Sequence, residues 1–462
     1  MDAHAPQNTA AQQGEEVQVS CSFFTKLGAD FRVPEAPIAV PANLTRYGLS
    51  QIINHLLALD PARPFDFLID GELLRLSLHR HLLAKHISAE AVLRVEYVPA
   101  VLPPTPKEEH PHEDWVSAVA GCGGGGSSGG APLLASACYD GVVRLWAGGE
   151  CGASFVAHKG PVQAAVAVAT RSASPGAGPL LLTAGNDGAA RLWVGVAAAA
   201  RGGAAPEAAA LLKGHTDTVQ AAAAAPDGNL CATGGWDSRL LLWRCGDVLL
   251  AAAEAAAGEE GDEAAEAAAA GSKKRRKTAN GAAAAAQHVE APRGELKGHS
   301  QCVSGISWAA PGTLASASWE HSVRLWDVET AAASDTHHHN KAVHCVAAAP
   351  GGAGLVAFGG AEKALRVWDP RVRSGEGLAV RSCASHTGWI SAVAWHPTSA
   401  HHAATASHDG AVKLWDLRAS IPLHTLEAHT DKVLCVAWVG PSTLASGGAD
   451  CKLRTAEVAL GQ

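Results

Sequence analysis

A histidine, an acid and a hydroxyl set close together are the ingredients of nucleophilic hydrolysis. The acid orients an imidazole, and the imidazole takes the proton of the attacking hydroxyl. The chain offers such sets: His386 with Ser407 and Asp409, followed by Trp415, and His299 with Ser318 and Trp326, with Glu320 in the acid position. The sets recur, however. His158, His215, His299, His386 and His429 each precede an apolar run such as Val433 to Trp438, and a glycine stands before the histidine at Gly214 and Gly298. An enzyme needs one active site, so repetition assigns the sets to structure. The acid accepts a hydrogen bond from the histidine, the histidine meets a Ser or Thr hydroxyl, and the series ends on the Trp indole. No P-loop, paired catalytic carboxylates or nucleophile elbow offers another reaction centre, and the chain reads as a non-enzyme with no cofactor of its own.

The elements that must position these residues are legible from the repeat itself. A phrase of small residues, an acid, an apolar–basic–apolar run and Trp spans Ser136 to Trp146, Thr183 to Trp193, Thr233 to Trp243, Ser316 to Trp326, Gly359 to Trp368 and Thr405 to Trp415. A seventh copy, Ser446 to Thr455, carries Thr in the place of Trp. The Trp residues are 47, 50, 83, 42 and 47 positions apart, the period of WD-repeat blades. Each blade is a four-stranded antiparallel sheet, and Asp140-Gly141, Asp187-Gly188 and Asp409-Gly410 suit its tight inner turn. The expectation is a seven-bladed WD-repeat β-propeller over residues 113–462. Asp114 to Val119 stands where the first copy lacks its Gly-His, and residues near there are expected to help close the ring. For the fifth copy, His337, His338 and His339 are equal candidates.

Residues 17–98 differ in character. Val17, Val19, Cys21 and Phe23 alternate with polar residues, as in a half-buried strand. A second strand is expected from Asp30 to Val40, broken by Pro34 and Pro37. A helix follows through Leu49, Ile52, Ile53, Leu56 and Leu57, ended by Pro61 and Pro64. Phe65 to Ile69, the turn Asp70-Gly71 and Glu72 to Leu76 read as a hairpin, then a short segment near Leu78–Leu83 and a last strand through Val92, Val95 and Tyr97. This order predicts a ubiquitin-like β-grasp domain, making the chain mainly β. With no Gly-Gly tail after Val98-Pro99, binding is its economical role.

The remaining stretches are read from composition. Residues 1–16 form a polar, disordered tail without a hydrophobic signal core, and no apolar run is long enough for a membrane span. Residues 99–112, with five prolines between Pro99 and Pro111, read as a linker. The long Trp gap places a disordered insert at 248–295, rich in Ala and acids, with the basic run Lys273, Lys274, Arg275, Arg276, Lys277. A nuclear-import signal is the favoured reading of that run and an RNA phosphate contact the second. The net charge of −8 gives no general reason to expect nucleic-acid binding. The 11 cysteines form no C-x-x-C pair and read as scattered reduced thiols of a soluble intracellular protein.

Arg46 to Ser50, Phe65 to Arg75 and Glu113 to Ser117 together resemble a known family. It is that of the WD-repeat subunit of the Pescadillo–Bop–WD-repeat (PeBoW) ribosome-biogenesis complex, and the likeness covers nearly the whole chain. The resemblance implies an assembly factor for the large ribosomal subunit and its precursor rRNA. It implies a propeller that binds a Bop-type WD-repeat protein linked to a Pescadillo-type protein, and work on pre-60S particles in the nucleolus and nucleoplasm. It also implies removal by midasin, a giant AAA ATPase that grips the ubiquitin-like domain. An acidic side chain there completes a divalent-cation site held by midasin. The matching stretch is Ile87 to Leu93, which makes Glu90 the candidate, with Asp70 and Glu72 as rival carboxylates. Two other readings share parts of the architecture: a Notchless-type pre-ribosome factor, and a propeller substrate receptor of a ubiquitin ligase, for which no F-box or similar motif is found.

Overall fold

The computed structural model describes residues 17–88, 91–122, 133–169, 179–245, 288–372 and 380–460. They fall into two compact units, one made of the residues up to Leu102 with those from Ala459 on, the other of Pro103–Val458.

The first unit is a β-grasp domain. Strands β1 (Gln18–Phe24), β2 (Ile38–Pro41), β3 (Phe65–Ile69), β4 (Glu72–Leu73) and β5 (Leu93–Pro99) form one sheet in the order β2-β1-β5-β3-β4. β1 and β5 run parallel, and the other pairs are antiparallel. Helix α1 (Arg46–Leu57) lays Leu49 and Ile53 on a core with Val19, Cys21, Phe23, Phe67 and Val95. The chain leaves α1 through Ala58 in the left-handed region, at φ 50°. Asp70 and Gly71 both take positive φ, as a tight two-residue hairpin turn demands. The segment near Leu78–Leu83 is a second helix, α2 (Leu78–Lys85).

The expected strand Asp30 to Val40 is corrected: only Ile38–Pro41 pairs, and Ala29–Phe31 is a turn of 3-10 helix. The cause is a tyrosine. The Val33 N–H donates to Tyr97 Oη at 3.1 Å, and that hydroxyl donates to the Phe31 carbonyl. These backbone groups are held by a side chain from β5, while Pro34 and Pro37 have no N–H to give a ladder.

The second unit contains seven blades arranged in a ring, six of four strands and blade two of five. Their inner strands are Val116–Gly121, Val162–Val168, Val219–Ala224, Val303–Ala310, Val343–Ala348, Ile390–Trp395 and Val433–Val439, each packed against the next and the last against the first. At that last junction Cys435 Sγ lies 3.5 Å from the Val116 carbonyl. A Cβ on Gly447 would come within 2.4 Å of Val116 Cγ1, so glycine is what lets blade seven approach blade one this closely.

Several expectations about the propeller change. Residues 99–112 are not simply a linker: Thr105–Pro111 is a strand that pairs with Lys452–Glu457 as the outer strand of blade seven. It closes the ring, a role expected for residues near Asp114 to Val119. Val116–Gly121 is instead the inner strand of blade one. The insert expected at 248–295 also ends too late. Gly294–Leu296 is the outer strand of blade three, with Glu295 in an ion pair to Arg239 at 2.7 Å, and His288–Glu290 adds a parallel fifth strand to blade two. Strand pairing shows that the residue opposite Leu444, where other blades carry Trp, is Ala456 rather than Thr455. Cys231 and Cys245, 14 positions apart, form a disulfide at one end of the blade-three hairpin, where unpaired thiols were expected; the antiparallel pairing of its two strands brings them together. No helix among the described residues is long and apolar enough to cross a membrane.

Candidate functional sites in the blades and at the channel mouth

Blade six shows how the histidine sets are built. Trp415 is fully buried, and its indole N–H, which can only donate, points at Thr405 Oγ1 at 2.8 Å. That hydroxyl donates in turn to His386 Nε2 at 2.7 Å. The imidazole proton is thereby placed on Nδ1, which donates to Asp409 at 2.9 Å. Asp409 also accepts the backbone N–H groups of Thr387 and Ala411. The protonation states agree with this chain of donors. Burial, assisted by nearby Lys413, outweighs the attraction of Asp409 and holds the His386 pKa below its ordinary value, so the ring stays neutral. Burial pulls Asp409 upward, but the Thr387 N–H, the His386 ring and the Ala411 N–H pull it further down, to about 2.

Ser407, the hydroxyl expected in this set, is not in it. Its Oγ accepts the Asp409 N–H at 3.2 Å and braces the turn. The same correction applies in blade four. His299 Nε2 and Trp326 Nε1 both meet Ser316, at 2.6 and 2.8 Å, while Ser318 accepts the Glu320 N–H. Glu320 takes the acid position, 2.6 Å from His299 Nδ1, and its longer side chain also accepts from Ser300 and Ser322. Blades two and three repeat the arrangement through His158, Thr183 and Trp193 and through His215, Thr233 and Trp243. The hydroxyls at Ser136, Thr183, Thr233, Ser316 and Thr405 belong to residues with no exposed surface. Sealed from solvent and already paired, they lack the access a nucleophile needs.

Three blades depart from the pattern. Blade one has its histidine after all: His112, at the end of the closing strand, meets Ser136 at 2.8 Å, and Trp146 completes the chain. Its Nδ1 faces the His110 carbonyl instead of an acid, and burial lowers its pKa to about 4. Blade five uses His339, which meets Glu362 through Nε2 at 2.8 Å. Phe358 fills the hydroxyl position there, and His337 and His339 pack their rings on it with centroids 5.5 and 5.6 Å away. Blade seven keeps His429, Ser446 and Asp450, with Ala456 in the indole's place.

The ring has a second feature, at the end of the channel beside the blade turns. A cavity of about 270 Å³ opens there, lined from all seven inner strands, and its lining contains no Lys, Arg, Asp or Glu. Trp319, His344, Trp389 and His408 form a run of aromatic contacts along it, with His344 stacked on Trp389 at 15°. Trp236 adds to the run through Trp319, and its indole N–H donates to Gln220 at 3.0 Å. Trp389 and Trp236 are half exposed. Sequence reasoning missed this feature. Its available signal is a bulky aromatic or His just before the turn acid, at Tyr139, Trp236, Trp319 and His408.

In the ubiquitin-like domain Glu90 lies outside the described residues, as do Lys273, Lys274, Arg275, Arg276 and Lys277 in the propeller unit. Of the rival carboxylates, Glu72 is engaged by Lys85 at 2.6 Å, and Asp70 occupies its positive-φ turn position. Among the described residues no group of three or more His, Cys, Asp or Glu could hold a metal ion.

Residues 19–82 match the model of the NLE (NUC135) domain, and 106–147, 207–244, 290–327, 377–416 and 420–455 match the WD domain, G-beta repeat. Each matched repeat begins near the outer strand of one blade and ends near the third strand of the next, which is why the first takes in Thr105–Pro111. The chain is 49% identical to "Ribosome biogenesis protein WDR12 homolog" of Chlamydomonas reinhardtii, over 96% of this chain and 98% of the relative. It is 39% identical to the protein of that name in Oryza sativa subsp. japonica, over 94% and 95%. It is 34% identical to "Ribosome biogenesis protein YTM1" of Meyerozyma guilliermondii, again over 94% and 95%. A β-grasp domain of the NLE family, a ring of WD blades and end-to-end similarity to these relatives lead to one conclusion: the chain belongs to the WDR12/Ytm1 family of ribosome biogenesis proteins.

Proposed function

We propose that this protein is a non-catalytic scaffold in maturation of the large ribosomal subunit and its precursor rRNA. The observation that carries the reading is similarity over 96% of the chain to a relative named a ribosome biogenesis protein. The propeller holds a Bop-type WD-repeat protein, through it a Pescadillo-type protein, and so joins pre-60S particles. The ubiquitin-like domain is the handle by which midasin removes the factor. Glu90 supplies one carboxylate to a divalent cation whose other ligands belong to midasin, a hard cation suited to oxygen donors. The run Lys273 to Lys277 directs import, and the protein works in the nucleolus and nucleoplasm. The engagement of Glu72 by Lys85 supports Glu90 over that rival.

The test is affinity purification of the tagged full-length protein from its native cells, followed by mass spectrometry. Recovery of Pescadillo- and Bop-type proteins with large-subunit precursors is the expected result. Recovery of a cullin-ligase adaptor without ribosomal precursors would overturn the reading. In the same assay Glu90→Ala is expected to leave the protein folded but retained on pre-ribosomes, and normal release would remove Glu90 from its role. Replacing Lys273 to Lys277 with Ala is expected to reduce nuclear accumulation, scored by fluorescence microscopy.

A further inference from the structure

The chain leads from the ubiquitin-like domain straight into the ring closure. β5 ends at Pro99, and residues 100–104 run on into the closing strand Thr105–Pro111. A force on that domain therefore travels along the chain and enters the propeller at Thr105. The closing strand is poorly held at that end. Thr105, Pro106 and Lys107 are exposed, and Pro106 has no N–H to give the ladder. The register steps from Pro106 opposite Ala456 to Glu108 opposite Thr455, which leaves Lys107 as an extra residue. The side chains that hold the strand gather at its other end. Glu109 pairs with Lys452 and, at 2.9 Å, with Arg454. His110 lays its ring on Trp146 with centroids 4.3 Å apart, and His112 meets Ser136. The end that takes the load is the end poorest in bonds.

Strand direction decides how bonds share a load. Thr105 stands opposite Glu457, so the two chain segments leave this antiparallel pair at the same end. Tension between them opens the ladder one bond after another, as in a zipper. The β-grasp domain is loaded differently. β1 and β5 are parallel neighbours, with Cys21 facing Leu93 and Phe24 facing Glu96. The chain enters at the start of β1 and leaves at the end of β5, at opposite ends of the pair. Tension therefore loads all the bonds between them together, and bonds broken together resist more than bonds broken in turn.

We propose that Thr105–Pro111 is a release strap: tension on the ubiquitin-like domain draws this strand off blade seven and opens the ring before the β-grasp domain unfolds. The inference rests on the reading of that domain as the handle for removal, and adds what removal does to the propeller.

The test joins DNA handles to the two ends of the full chain and draws them apart in an optical trap. The expected first event is a gain of about 4 nm, the strap and the strand it leaves laid end to end, at a force below that at which the β-grasp domain yields. Thr105→Cys with Glu457→Cys places two thiols at exposed, facing positions and sews the entry end shut when oxidised. The short event should vanish in the oxidised variant and return on reduction, with the parent under the same reductant as control. A parent without the short event, a first gain of about 25 nm, the length of the β-grasp chain, or a short event that persists in the oxidised variant would overturn the proposal. Release is read separately, by adding ATP to purified precursor particles. The parent should be freed and the oxidised variant retained severalfold more. No release of the parent would contradict the handle reading, whereas equal release of both would contradict the strap.

Discussion

The blade interiors and the channel mouth are built from the same residue types, histidine, tryptophan and small polar residues, with opposite outcomes. In blade six each donor is matched: Trp415 to Thr405, Thr405 to His386, His386 to Asp409. At the mouth Trp319 and His344 have buried atoms with no partner among the described residues, and Trp389 stands half exposed. Blade five shows what the interior tolerates in place of the network. Phe358 replaces the hydroxyl and packs between His337, His339 and Trp368, so a matched polar chain and an apolar plug are alternative ways to fill one site. The lesson is that the histidine sets are spent on holding the blades together, whereas the same residue types at the mouth are left partly unpaired and exposed.

Mutations that break this contrast can be ranked by expected effect. Phe358→Ala should be the most damaging, because it leaves a cavity where a fully buried ring was; a loss of about 3–5 kcal/mol is expected in urea unfolding. Thr405→Val should cost about 1–3 kcal/mol by stranding the Trp415 N–H and His386 Nε2, and Asp409→Ala a similar amount by removing the acceptor of His386 and two backbone N–H groups. Ser407→Ala removes only a brace on the turn and should cost about 1 kcal/mol or less. Finding Ser407→Ala more damaging than Thr405→Val would reverse the assignment of the hydroxyl. Trp389→Ala, at an exposed site, should change stability by less than about 0.5 kcal/mol.

Acid should act on the blades in two windows. Burial lowers the pKa of His299, His386 and His429 below the ordinary 6.5. The unfolded chain therefore takes up protons first, and stability present above that value falls as pH drops below it. Asp409 titrates at about 2 in the folded chain against an ordinary 3.8. Its contribution is full above 3.8 and is lost as pH falls through about 2. Urea midpoints measured from pH 7 to 3 should decline from the first window onward, and a flat profile above pH 4 would contradict neutral buried histidines.

How much of this was legible in the sequence depended on whether a local rule or a distant partner decided each position. The β-grasp order and the seven blades followed from period and turn residues. The choice between Ser316 and Ser318, or Thr405 and Ser407, did not, because residues two apart in a strand face the same side. Hairpin register alone puts the former beside the indole. The Trp position of blade seven was misplaced by one, although the ten-residue step from hydroxyl to Trp in other copies, such as Ser316 to Trp326, leads from Ser446 to Ala456. Thr105–Pro111 read as a linker because its strand partner, Lys452–Glu457, lies at the far end of the chain. His112 was passed over because it ends the stretch 99–112 that read as a linker. The mouth was missed because its lining is gathered from seven separate strands; its local mark was a bulky aromatic or His just before the turn acid, at Tyr139, Trp236, Trp319 and His408.

Sedimentation of the full-length protein in lysate of its native cells tests the proposed scaffold role most directly. The protein is expected in the fractions that hold large-subunit precursors. Finding it in the free pool alone would contradict a role in maturation of that subunit.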